Sequence, residues 1–86
     1  MNAYWLTLRD TLPKGGDLVS NLASVSVMRA VADFEEADGF QPTPAAYRAI
    51  ADVLEQLAQS KCDEAFAETY HKVAELVRNH ALQIAI

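Results

Sequence analysis

The sequence predicts a compact all-α domain of four helices: a short N-terminal helix, a central helix, then an antiparallel C-terminal pair. Helix-start chemistry occurs at three places, Asp17 after Gly15-Gly16, Thr43 before Pro44, and Ser60 with Asp63 three residues on. Each puts a side-chain oxygen where the N–H groups of a first helical turn lack an acceptor. An apolar pattern of helical period follows each one. Alanine fills 15 of the 86 positions, whereas the three glycines and three prolines fall at the proposed joints. That composition favours helix, because Ala loses no side-chain entropy on ordering.

The first segment spans Asn2 to Leu12, with Trp5, Leu8 and Leu12 at i, i+3 and i+7 on one helical face. Tyr4, Leu6 and Leu8 also alternate, which leaves an extended segment open. Pro13 disfavours helical geometry at Leu12 and sets the boundary. A helix of about ten residues is marginal alone, so tertiary contacts have to hold it, with Trp5 as the anchor.

The second segment runs from the Asp17 cap to about Ala37, and Asp38-Gly39 supplies its stop. Leu18, Leu22 and Val25 share one flank, and Val27, Val31 and Phe34 lie nearly opposite. A rod apolar on both flanks is normally sandwiched between neighbours. The expectation is therefore a continuous central helix, covered by the fold on one flank and by the fold or a second chain on the other.

The third segment starts at Thr43 with Pro44 pre-set for the first helical position. Tyr47, Ile50, Val53, Leu54 and Leu57 make its apolar face, and Arg48, Asp52, Glu55, Gln56 and Gln59 the polar one. The fourth begins after Ser60, with Asp63 in a capping-box-like position. Its apolar line is Phe66, Tyr70, Val73, Val77, His80 and Ile84. The short turn between these two helices makes them antiparallel neighbours.

Eighty-six residues make one domain, with a core that is marginal unless packing is good or a partner helps. A formal charge of −5 repels phosphate backbones and anionic membrane surfaces, so general nucleic-acid and membrane binding are not expected. The first cation is Arg9, so no basic-then-apolar leader is read, and Asn21 and Arg29 interrupt the longest apolar stretch. The expected location is the cytoplasm.

The acidic run Asp33, Glu35, Glu36 and Asp38 lies at the carboxyl end of the second helix, where the macrodipole is already negative. A locally unfavourable cluster suits docking to a basic surface or imitation of phosphates; the plain alternative is a solvated helix end. Glu68 and His71 match one half of the carboxylate–histidine pattern of di-iron bundles, but Val77 stands three residues before His80, so the second half is missing. His80, within an apolar face, reads as a neutral histidine hydrogen-bonded to a neighbour. Cys62 near a helix start is either a reactive thiol or an inert buried one. No glycine-framed elbow surrounds Ser20, Ser24 or Ser26, and Gly15-Gly16 before an acidic cap argues for a turn rather than anion capture. No catalytic residue, metal site or cofactor is expected.

The surplus apolar surface points to contacts. The expected function is a non-catalytic protein-interaction module: a small regulator or inhibitor that docks on a partner with a basic surface. Its contacts would be Asp33, Glu35, Glu36, Asp38 and Phe40. A dimer or partner face would use Val27, Val31, Phe34, Leu82 and Ile86. Size and alanine-rich composition fit a bacterial or mobile-element source. The alternatives are a helical DNA-binding transcriptional regulator, which the charge opposes, and a metal-dependent bundle enzyme.

Overall fold

The structure, a computed structural model, describes residues 3–12, 17–36 and 40–85. Every element among them is helical: α1 (Ala3–Thr11), α2 (Leu18–Glu36), α3 (Pro44–Ser60) and α4 (Glu64–Ile84). The proposed stop at Asp38-Gly39 lies outside the described residues.

Capping explains where the helices begin. The Asp17 carboxylate accepts the Ser20 backbone N–H at 2.7 Å, which starts α2. Thr43 is the N-cap of α3, its hydroxyl oxygen accepting the Ala46 N–H at 3.2 Å, and Pro44 occupies the first turn. The start of α4 differs from the sequence expectation. Ser60 is the last residue of α3 and its hydroxyl donates back to the Leu57 carbonyl. Asp63 is itself the N-cap, with one carboxylate oxygen accepting from Ala65 and Phe66 N–H. One acidic cap serves two orphan donors, so no reciprocal box is needed.

The first segment is helical rather than extended, and Trp5 and Leu8 are its buried residues. One apolar cluster joins all four helices through Trp5, Leu8, Val27, Val31, Tyr47, Leu54, Val73 and Val77, among others. Burying roughly 25 cal/mol for each Å² of apolar surface is what holds so short an α1 in place.

The central helix is α4, not α2. Its 21 residues measure about 31 Å, against a long molecular axis of 36 Å. It packs most extensively on α3 and next on α2, while α2 barely touches α3 or α1. Early α3 meets late α4, as Tyr47 against His80 and Asp52 against Arg78 show, so the pair is antiparallel. Small residues explain the intimacy: Ala51 and Ala58 of α3 and Ala74 and Ala81 of α4 are buried and let the backbones approach. Val53 and Ile84, placed on apolar faces by the sequence pattern, are exposed, and these alanines take the buried positions instead.

The rod from Leu18 to Glu36 is unbroken, but it stands at the outside with one flank in solvent. Val27 and Val31 are 0% exposed, inside the chain's own core, and Phe34 packs against that core. Leu18 is 71% exposed, Leu22 49% and Val25 64%. The interface assigned to Val27, Val31 and Phe34 is therefore corrected: the fold covers those residues itself, and the opposite flank is the open one. Leu82 is exposed, and Ile86 lies outside the described residues.

Candidate functional site

The outward stripe of α2 is the feature the fold leaves without an internal use. At 100° per residue, Leu18, Leu22, Val25, Arg29, Ala32 and Glu36 recur at spacings of four and three and fall along one line. Val19, also exposed, borders it. The stripe changes character along its length, with apolar side chains in the first two turns, a cation at Arg29, and then Asp33 beside the line and Glu36 on it. Asp33 and Glu36 are exposed, Glu35 is half-buried, and the last turn of α2 carries no basic residue. Asp38 lies outside the described residues. At the other end the Ser20 backbone N–H, then the Ser20 hydroxyl, hold the Asp17 carboxyl below the usual carboxylate range.

Phe40 does not extend this surface. It is half-buried, with its ring 6.2 Å from Trp5 and 5.7 Å from Tyr47. It belongs to an aromatic cluster that ties the segment before α3 to α1 and α4. Its assignment as a partner contact is corrected to a core contact.

The same cluster accounts for His80. Its imidazole stacks on Tyr4, with centroids 3.6 Å apart and planes within 4°, and meets the Tyr47 ring edge-on at 4.8 Å. The expected hydrogen-bonded histidine is thus a stacked one, and burial among these rings lowers its pKa. Burial, and then the neighbouring Tyr47 phenol, push Tyr4 up to about 12, so both rings are neutral at physiological pH. Beside them a groove of about 280 Å³ runs between α1 and α4. Its Thr7 and Thr11 hydroxyls already donate to the carbonyls of Ala3 and Thr7, so they are not directed at a ligand.

His71 is engaged by other partners than the spacing suggested. Its Nδ1 meets Glu55 of α3 and its Nε2 meets Glu75 one turn on at 3.1 Å, while Glu68 takes no part in this contact. The Glu55 hydrogen bond and charge, followed by Glu75, raise the His71 pKa. Arg78 reaches Asp52 at 3.1 Å and Glu55 at 4.0 Å, so acids of α3 and bases of α4 form an exposed seam. Among the described residues no group of three or more His, Cys, Asp or Glu could hold a metal ion. Cys62 is exposed in the turn between α3 and α4, and Ser26 shares a 2.6 Å hydrogen bond with Tyr70. No described helix is long and apolar enough to cross a membrane.

Sequence reasoning assigned the two flanks of α2 the wrong way round, although the signal was present. The stripe through Leu18, Leu22 and Val25 continues into Arg29 and Glu36, whereas the one through Ala23, Val27, Ala30, Val31 and Phe34 carries no charge along its whole length. A flank that meets charge must stay wet at that end. No family model matches this chain, and no curated protein or solved structure does either.

Proposed function

We propose that this protein is a non-catalytic interaction module, a small regulator or inhibitor that works by occupying the surface of another protein. The observation that carries the reading is the acidic carboxyl end of the outward α2 stripe, where Asp33 and Glu36 are exposed and the last turn holds no basic residue. Acids at a helix carboxyl end oppose the macrodipole at about 0.3–1 kcal/mol each, and a basic partner would relieve that repulsion. The groove and the two histidines lend no support to catalysis: the Thr7 and Thr11 hydroxyls donate to helix carbonyls, His71 is engaged by Glu55 and Glu75, and His80 is stacked on Tyr4.

The test is affinity purification from the source cell with the natural chain and with a variant carrying Asp33→Asn, Glu35→Gln, Glu36→Gln and Asp38→Asn. The reading expects one protein to be retained by the natural chain and lost from the variant, with helical content unchanged. Retention by both would remove the acids from the account. Salt-sensitive binding to duplex DNA would replace it with a transcriptional regulator, and stoichiometric metal in native protein with a metal-dependent enzyme.

A further inference from the structure

We infer that the apolar half of the α2 stripe is covered by the α2 of a second copy of this chain, running antiparallel. The inference goes beyond the docking reading, which uses the acidic end of the helix, and either can fail alone.

Spacing of four and three residues is the pattern of a helix–helix seam, in which the side chains of one helix fill the spaces of the other. Leu18, Leu22 and Val25 supply the apolar part of that seam, and Val19 flanks it. Two copies can bury all of it in only a narrow range of registers. With Leu22 of each chain level with Val25 of the other, Leu18 falls level with Arg29 of the other copy. The Arg29 stem then covers Leu18, and its guanidinium reaches the neighbouring Asp17. That carboxylate already accepts from Ser20, yet an ionised carboxylate has about four lone-pair positions and can also take an arginine. The two-fold axis forms this contact twice.

Charge selects both the occupant and its direction. At −5 the chain repels its own kind, so any self-association must keep the acids apart. A parallel pair would set Arg29 against Arg29 and Glu36 against Glu36, at an interaxial distance of about 8–10 Å. The antiparallel register separates the two Glu36 positions by 25 residues of rise, roughly 37 Å. That is several times the Debye length of about 8 Å at physiological ionic strength. The one cation on the stripe meets the acid that starts the same helix, and the acidic ends point away in opposite directions, open to a partner.

Two measurements on the full chain test this. Light scattering over about three orders of magnitude in concentration should show a monomer giving way to a dimer. Leu22→Asp, at an exposed position, should abolish the dimer while leaving the melting temperature of the dilute protein unchanged. In a Cys62→Ser background, mixing equal amounts of Leu22→Cys and Val25→Cys under mild oxidation should yield the mixed disulfide well above the two-to-one excess over each self-linked product that random pairing gives. A single-chain mass at every concentration overturns the inference, as does a dimer indifferent to Leu22→Asp. A mixed product at or below that two-to-one ratio overturns the antiparallel direction. Loss of the acid-dependent partner with the dimer intact would instead strike the docking reading.

Discussion

Val25 and Val27 are two positions apart on α2 and have opposite surroundings. Val27 is enclosed by the core that unites the four helices, and Val25 stands in solvent beside Leu18 and Leu22. Neither propensity nor side-chain chemistry distinguishes them. What separates them is the rest of each stripe: one is carried by alanines that admit α4, the other ends in Arg29 and Glu36. Apolar content along a helix therefore does not say which flank the fold uses; the charges in line with it do.

The sharpest way to break this comparison is to remove the anchor of the covered side. Trp5→Ala should cost about 3–5 kcal/mol, comparable with the whole stability of a small domain, and urea denaturation should show the variant largely unfolded. The comparison itself is tested next. In dilute solution Val27→Ala should cost about 2 kcal/mol, because two buried methyl groups are lost and a cavity remains. Val25→Ala should stay within about 0.5 kcal/mol. Equal costs would contradict the assignment of flanks.

A smaller effect tests how α2 is fastened to α4. Tyr70→Phe removes the hydroxyl shared with Ser26 and should cost about 1 kcal/mol. Adding Ser26→Ala to it should cost less than the sum of the single changes, since both remove one bond.

The smallest effect concerns the two histidines, which respond to pH in opposite directions. The His71 pKa is raised by Glu55 and Glu75, so its contribution is fully present below the ordinary histidine value of 6.5 and is lost as pH rises through the folded value. The deficit of His71→Gln in melting temperature should therefore be largest below about pH 6.5 and shrink as pH rises above it. The His80 pKa is lowered by burial, so the unfolded chain binds its proton first. Its contribution is complete above 6.5 and falls as pH drops below that value. Natural protein should lose stability relative to His80→Phe as pH falls from about 7 to 5. A deficit of the same sign at both ends of the pH range would contradict the opposed assignment.

The last three helices were legible because local chemistry decides them, whereas the first segment also alternated and is held by its tertiary contacts. Thr43-Pro44 and the acid at Asp17 act within their own first turns, and the alanine-rich segments have no competing structure. Asp63 was recognised as helix-start chemistry but placed one turn too deep, because Ser60 offered an equally good oxygen. Non-local facts were not legible. That Phe40 packs on Trp5 and Tyr47, that His80 stacks on Tyr4, and that His71 meets Glu55 rather than Glu68 all depend on helix packing. The mistake over the centre of the bundle has the same origin, since α4 earns that place through Ala74 and Ala81, which a pattern of large apolar residues passes over.

The central claim is that the fold covers one flank of α2 and another molecule covers the other. Solvent paramagnetic relaxation of the valine and leucine methyl groups, followed against protein concentration, tests it most directly. Val27 and Val31 should be shielded at every concentration, and Leu22 and Val25 should pass from exposed to shielded as concentration rises. Methyl groups of Leu22 and Val25 that stay exposed throughout, or Val27 found exposed in dilute protein, would contradict it.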